Sequence, residues 1–193
     1  MQILVDMDDV LENLSEAWIA CLNEEYGLHV DYRDARDWKM EMSFPELTPA
    51  QIYAPLYSDE FWHTVKPIRG AAEALEKLME DGHEIYVVTA SNYVTIKTKM
   101  EEVLFKYYPF LDWRNVIVAF NKQMIRGDVL IDDAPHNLIG GDYIKILLDA
   151  PHNRRFDAES NGMFRAKDWA DVIRILSHST QKRPFVGVKK AGR

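Results

Sequence analysis

Ile3-Leu4-Val5-Asp6-Met7-Asp8-Asp9-Val10-Leu11 decides how this chain is read. A short apolar run that breaks into acid at its C-terminal end has the pattern of a buried strand leading into a site. Side chains at i and i+2 of an extended segment share a face, so Asp6 and Asp8 can address one point. In open α/β sheets, ligands bind beyond the C-terminal ends of the strands. Two carboxylates converging there repel each other unless a cation lies between them, and a hard, oxygen-seeking ion such as Mg²⁺ meets that need. Helix capping accounts for one acid before a first turn, whereas Asp6, Asp8 and Asp9 place three within four residues.

Outward from this stretch, Leu14, Trp18, Cys21 and Leu22 recur at helical spacing and Gly27 closes the run as a C-terminal cap. The segment from Asp31 to Lys66 is rich in aromatics and acids and weakly periodic. It holds a short helix whose start is written as Thr48 (N-cap), Pro49 (first helical residue) and Gln51 (capping-box partner). Residues 15–66 therefore read as a helical insertion in a core made of residues 1–14 and 67–180. In that core Ala71, Ala74, Leu75 and Leu78 form a helix face closed by Gly82. Strands follow at Glu84–Val88, Val116–Ala119, Val129–Ile131 and Ile144–Leu148, with a helix through Met100, Val103 and Leu104 after the first. Asp168 caps a last helix through Val172, Ile173 and Leu176. Strands alternating with helices predict an α/β fold, a doubly wound parallel sheet with a small helical cap inserted after the first strand. Residues 181–193 form a basic tail without periodicity.

Composition bounds the function. The 193 residues suit one domain with an insertion, and 47% hydrophobic content with five Trp, nine Tyr and eight Phe supplies a core. A net charge of −8 speaks against a nucleic-acid polymer as partner, which needs a basic face. It leaves room for a small anion held by a metal and local cations. The single Cys21 excludes an internal disulfide and fits a reducing compartment. With neither a leader pattern nor a long apolar span, a cytoplasmic protein with no membrane partner is expected.

Three of the strands end in polar residues that can serve a common chemistry, namely Asp6/Asp8, Thr89/Ser91 and Asp132/Asp133, and Lys122 follows a fourth. A parallel sheet brings all of these to one edge. Together they offer carboxylates for a divalent cation, a hydroxyl and backbone N–H groups at a helix start, and one positive charge. That inventory suits phosphoryl transfer, which depends on positioning and charge neutralisation. A carboxylate can itself act as the nucleophile. No GxxxxGK[ST] loop is present, which disfavours a nucleoside triphosphatase of that kind. Taken singly, each group has a plainer reading: Thr89 as a helix cap, Lys122 as a solvated lysine, Asp132-Asp133 as a turn.

Asp6-Met7-Asp8-Asp9-Val10, Thr89-Ala90-Ser91, Lys122 and Ile131-Asp132-Asp133 resemble, in order, the four motifs of the haloacid dehalogenase superfamily of phosphatases. The resemblance spans nearly the whole chain and is closest to the 5′(3′)-deoxyribonucleotidase branch. It is carried further by Phe61-Trp62 before Pro67-Ile68-Arg69-Gly70-Ala71, by Leu130–Asp133 with Pro135, by His152-Asn153 and by Asp168–Asp171. It implies that Asp6 attacks phosphorus and that Asp8 protonates the leaving oxygen and then activates water. It also implies Mg²⁺ on the Asp6 carboxylate, the Asp8 carbonyl and the Asp133 carboxylate, with Asp132 acting through water. Thr89, the Ala90 N–H and Lys122 would hold phosphate oxygens, and the insertion would close over the site. Asp9 departs from the usual Gly, and Ala90 stands where relatives often carry Ser.

The substrate implied is a nucleoside monophosphate; a sugar phosphate, or a non-catalytic phosphate-binding protein, are the rival readings. Trp38, Phe44, Phe61 and Trp62 are candidates to stack a base, or else to pack cap against core. A homodimer is one open form of assembly.

Overall fold

The computed structural model describes residues 1–180; the basic tail read at 181–193 lies outside the described residues. Its centre is β1 (Gln2–Val5), in which Ile3, Leu4 and Val5 are almost wholly buried. Period-two alternation sends Leu4 to one side, where it joins Val88, Leu130, Leu147 and Tyr143. Ile3 and Val5 point to the other side, into a larger cluster with Val87, Ile131 and Ile146. A strand apolar on both faces has to be covered on both, which dictates a layered α/β protein.

After β1 the chain makes an all-helical excursion. It comprises α1 (Leu14–Tyr26), single turns at Tyr32–Asp34 and Met40–Met42, α2 (Pro49–Tyr53) with a 3₁₀ turn after it, and α3 (Asp59–Trp62). Gly27 ends α1 in the left-handed conformation (φ 66°), which a residue without Cβ adopts at little cost. Thr48 and Gln51 cap α2 reciprocally, Gln51 N–H on Thr48 Oγ1 at 3.4 Å and Thr48 N–H on Gln51 Oε1 at 3.0 Å. Trp18, Phe44, Ile52, Phe61 and Trp62 join the larger sheet cluster, so the excursion shares one core with the sheet. Its exit and return are laced together. Asn13 N–H donates to Lys66 O (3.0 Å), Lys66 N–H to Asn13 Oδ1 (2.8 Å) and Ile68 N–H to Leu11 O (2.8 Å).

The core then runs α4 (Ala71–Glu80), β2 (Glu84–Thr89), α5 (Ile96–Lys99), a π-helical turn at Met100–Leu104, α6 (Phe105–Tyr107) and β3 (Val116–Val118). It continues with β4 (Val129–Asp132), α7 (Pro135–Leu138), β5 (Ile144–Leu148), β6 (Phe164–Ala166) and α8 (Trp169–Thr180). All pairings are parallel, in the order β3-β2-β1-β4-β5-β6. The chain winds outward from β1 through β2 and β3, then crosses to β4 on the other flank. The switch point therefore lies between β1 and β4, where a crevice opens at the C-terminal edge. Details differ from the sequence reading. The helix through Met100 carries a π turn, and β6 is an added edge strand whose three residues are too few for a readable pattern.

β1 and β4 are held close by Gly127, just before β4. A Cβ there would lie 2.7 Å from Leu4 Cγ, and Leu4 is 1% exposed with no room to yield. Gly127→Ala should cost about 1–3 kcal/mol by overpacking, read as a lowered denaturant midpoint at unchanged m-value; an unshifted midpoint would contradict this packing.

Candidate active site

The loop after β1 is built to hold two acids apart. Asp6 N–H still follows the sheet, donating to Ile131 O at 2.9 Å. Met7 then turns inward, and its carbonyl collects the N–H groups of Val10, Leu11 and Glu12 at 3.3, 2.9 and 3.3 Å. Trp169 Nε1 on Val10 O (3.0 Å) and Tyr108 Oη on Leu11 O (2.5 Å) clamp the loop from α8 and from the segment after α6. Asp9 sits at φ 57°, rare for a residue with a Cβ, and its carboxylate accepts Ser15 N–H (2.9 Å) and the Ser15 hydroxyl. The residue that replaces the usual Gly thus caps the start of α1. Burial first, then Asp133, pushes the Asp9 carboxyl up to about 7.

Asp6 turns toward β4. Lys122 Nζ is 2.5 Å from Asp6 Oδ1 and 2.7 Å from Asp132 Oδ2, with the lysine side chain 2% exposed. Asp132 is further held by the Ala134 N–H (2.8 Å) and Asn137 Nδ2 (3.1 Å). Asp133 meets His152 Nε2 at 2.8 Å. Asn153 donates to Asp133 O (2.7 Å) and Leu148 O (2.8 Å), and Arg165 fixes Asn153 Oδ1 at 2.9 Å. Burial, reinforced by Asp132, raises the Asp6 carboxyl well above the ordinary carboxylate range; Lys122 opposes this only in part. Burial works against the Lys122 charge, yet Asp6 and Asp132 hold its ammonium more firmly than in water. One lysine thus faces more negative charge than it can neutralise.

A divalent cation fits that excess. Asp6, Asp132 and Asp133, all buried, each place a carboxylate oxygen within 4.8 Å of the others. These are hard oxygen donors of the kind Mg²⁺ takes. His152 Nε2 stands beside this cluster, 2.8 Å from Asp133.

Asp8 turns the other way. It is ion-paired with Lys99 of α5, which is 2% exposed and also donates to Thr89 Oγ1 at 3.3 Å. Burial would raise the Asp8 carboxyl, but Lys99 and a hydrogen bond with Glu12 outweigh it and the net shift is downward. Thr89 Oγ1 lies 2.9 Å from Ser91 Oγ. Asp8, Ala90, Ser91 and Lys99 line a cavity of about 160 Å³ whose opposite wall is Tyr53, Leu56, Tyr57 and Trp62 of the excursion. Lys99 Nζ stands 5.3 Å from the centre of the Trp62 ring.

Asp6, Asp8, Thr89, Ala90, Lys122, Asp132 and Asp133 therefore gather at one sheet edge, as the motif spacing predicts. The four aromatics separate. Trp62 borders the cavity while belonging to the core; Phe61, its edge-to-face neighbour at 5.3 Å, is core without lining the cavity, and Phe44 is wholly buried. For Phe44 and Phe61 the packing alternative describes their surroundings. Trp38, 56% exposed, lies over His136 (5.2 Å) beside a different hollow near Asn153 and Phe156. Lys99 and Glu12 escaped the sequence reading. Nothing in Lys97-Thr98-Lys99 marks which lysine turns inward, and Glu12 follows Leu11 as a polar residue leaving a strand.

Comparison with known proteins identifies the family and the fold. The family described as 5′ nucleotidase, deoxy (pyrimidine), cytosolic type C matches residues 1–182. A 5′(3′)-deoxyribonucleotidase of Bacillus subtilis is 35% identical over 176 residues, covering 90% of this chain and 97% of that protein. One from Clostridium acetobutylicum is 32% identical over 168 residues, 87% and 90% of the two chains. Among solved structures, a haloacid dehalogenase family hydrolase from Deinococcus radiodurans, with bound phosphate and sodium, superposes with a TM-score of 0.62. It is 15% identical over 95% of this chain and 97% of that one. A haloacid dehalogenase-like hydrolase from Streptococcus pneumoniae gives 0.63 at 15% identity, over 91% and 97%. At those identities the structures show the shared fold. The sequence matches run the full length of the sheet and its insertion, and the chain belongs to the 5′ nucleotidase, deoxy (pyrimidine), cytosolic type C family and is a phosphatase.

Proposed function

We propose that the protein hydrolyses deoxynucleoside monophosphates through a phosphoryl-aspartate formed on Asp6. The observation that carries this is the split of two neighbouring acids: Asp6 faces Lys122 and the acid cluster, while Asp8 faces the Trp62 cavity. In the first step an Asp6 oxygen bonds to phosphorus and the ester P–O bond breaks; Asp8, ionised beside Lys99 in the free site, takes up a proton when the phosphate's negative charge is brought next to it and gives that proton to the leaving oxygen. In the second, Asp8 takes a proton from water, the water oxygen bonds to phosphorus, and the bond to Asp6 breaks to release phosphate. Thr89, the Ala90 N–H and Lys122 hold the phosphate oxygens. Mg²⁺ would be held by the Asp6 and Asp133 carboxylates and the Asp8 carbonyl, with Asp132 through water, and would supply charge neutralisation at the phosphoryl group. Residues 15–66 act as the cap that excludes water. The activity by which the relatives are named supports the nucleotide, and Trp62 gives the cavity a flat apolar wall for its base. No helix among the described residues is long and apolar enough to cross a membrane, and a cytoplasmic location is part of this reading.

Purified protein assayed on deoxynucleoside, ribonucleoside and sugar phosphates should turn over the first group best. A chelator should remove the activity and added Mg²⁺ restore it; full turnover after exhaustive chelation would overturn the metal assignment. Trp62→Ala should lose roughly tenfold or more in kcat/KM on nucleotides, since base stacking is worth about 1–3 kcal/mol, while sparing small aryl phosphates. Trp62→Ala and Phe61→Ala both truncate core rings and should lower stability, by about 3–5 kcal/mol, but Phe61→Ala should leave the preference among substrates unchanged. If sugar phosphates are preferred and Trp62→Ala changes nothing, the nucleotide reading falls and the phosphatase assignment stands.

A further inference from the structure

Two carboxylates among the described residues are completely buried, Asp132 and Glu12. Asp132 has Lys122, Ala134 and Asn137 on it. Neither Glu12 oxygen accepts an N–H or a hydroxyl from the residues around it. The group within its hydrogen-bonding reach is Asp8, the same carboxylate that pairs with Lys99. Burying such a group costs stability. Val10, Leu11 and Leu14 around it in sequence are buried apolar residues, so the packing asks for no charge. A leucine of similar volume would fill the position without a buried carboxyl.

The backbone places Glu12 where movement of the insertion would be felt. It forms isolated bridges to Asp8 on one side and to Pro67 on the other. Its neighbours Leu11 and Asn13 make the hydrogen bonds that lace exit to return, to Ile68 and Lys66. One residue thus touches the returning segment of the insertion with its main chain and the Asp8 carboxylate with its side chain.

We propose that Glu12 is a positioning residue: from the crossing where the insertion leaves and rejoins the sheet, it holds the Asp8 carboxylate in register with Lys99 and the cavity. The inference rests on the reading of Asp8 as proton donor given above. Its consequence is specific to leaving groups. A nucleoside oxygen needs the proton from a correctly placed Asp8, and a nitrophenolate does not.

The test compares wild type with Glu12→Leu and Glu12→Gln in single-turnover release of the leaving group, from a deoxynucleoside monophosphate and from 4-nitrophenyl phosphate. Glu12→Leu should keep or raise the melting temperature. It should slow nucleoside release about 10- to 100-fold, a fraction of what general acid catalysis supplies, and slow nitrophenolate release far less. Glu12→Gln, of equal length and with an amide N–H able to reach Asp8, should recover most of the nucleoside rate. If Leu leaves the ratio of the two rates unchanged, or Gln does no better than Leu, the positioning role is overturned. Should Glu12→Leu fail to fold, Glu12→Asp replaces it. That variant is one methylene shorter and should show the same substrate-selective loss, and a flat ratio there overturns the role equally. A wild-type protein inactive on both substrates would instead overturn the phosphatase mechanism, and this role with it.

Discussion

Asp6→Asn abolishes turnover, by roughly 10⁴-fold or more, the scale on which loss of a nucleophile registers, and leaves the fold intact. The amide has no lone pair free to form the acyl phosphate at a useful rate. The fold does not need the charge. Asp6 is buried beside Asp132, with Asp133 and Asp8 adding repulsion and Lys122 offsetting part of it. An amide at this position relieves that repulsion, still accepts the Met7 N–H that Asp6 Oδ1 takes at 2.7 Å, and keeps Lys122 on Asp132. The metal-free variant should therefore melt at or above the wild-type temperature, the pattern of an active-site residue retained at the expense of stability. Acid-quenched mass spectrometry should find a phosphoryl adduct on wild type and none on the variant. Wild-type turnover by Asp6→Asn would show that another group attacks phosphorus.

Lys122→Met damages both activity and stability, and the sign of the second effect separates it from Asp6→Asn. Lys122 is the cation within 2.7 Å of both Asp6 and Asp132. Its removal leaves two buried carboxylates without their counter-charge. Breaking a buried pair from one side costs about 3–5 kcal/mol, visible as a lower denaturant midpoint in the presence of chelator. Turnover should fall by about 10²–10³-fold, the usual effect of removing one fixed electrostatic partner of the transition state. Mg²⁺ should restore part of the stability, because an ion that binds only the folded acid cluster shifts the folding equilibrium by mass action. It should restore little of the activity. A Lys122→Met protein as stable as wild type in chelator would mean that Asp6 and Asp132 do not depend on the ion pairs described.

The strand–acid pattern at Ile3–Asp8 carried the sheet, and its repetition at Thr89 and Asp132-Asp133 carried the edge on which the site lies. Both are local signals: an apolar run has to be buried, and a parallel sheet sends every strand's C-terminal end the same way. Caps were equally legible, because Thr48 with Gln51 and the glycine after Tyr26 act within a few residues.

What the sequence could not say is which way side chains of mixed character turn. Phe44, Phe61, Trp62 and Trp38 look alike as residues. Only the packing of the insertion on the sheet buries the first three, brings an edge of Trp62 to the cavity wall and leaves Trp38 outside. Lys97 and Lys99 are two positions apart on one helical segment, yet one is solvated and the other is sealed against Asp8. Glu12 became informative only when its burial and lack of a donor were visible. The sequence by itself determined the α/β class, the sheet edge and the identity of the acids, because hydrophobic period and strand polarity are properties of neighbours along the chain. The tertiary structure alone decided how charge is paired at that edge, Lys122 with Asp6 and Asp132, Lys99 with Asp8. Ion pairing in a dry interior depends on distances in space, and Asp8 and Lys99 meet across 91 positions of chain.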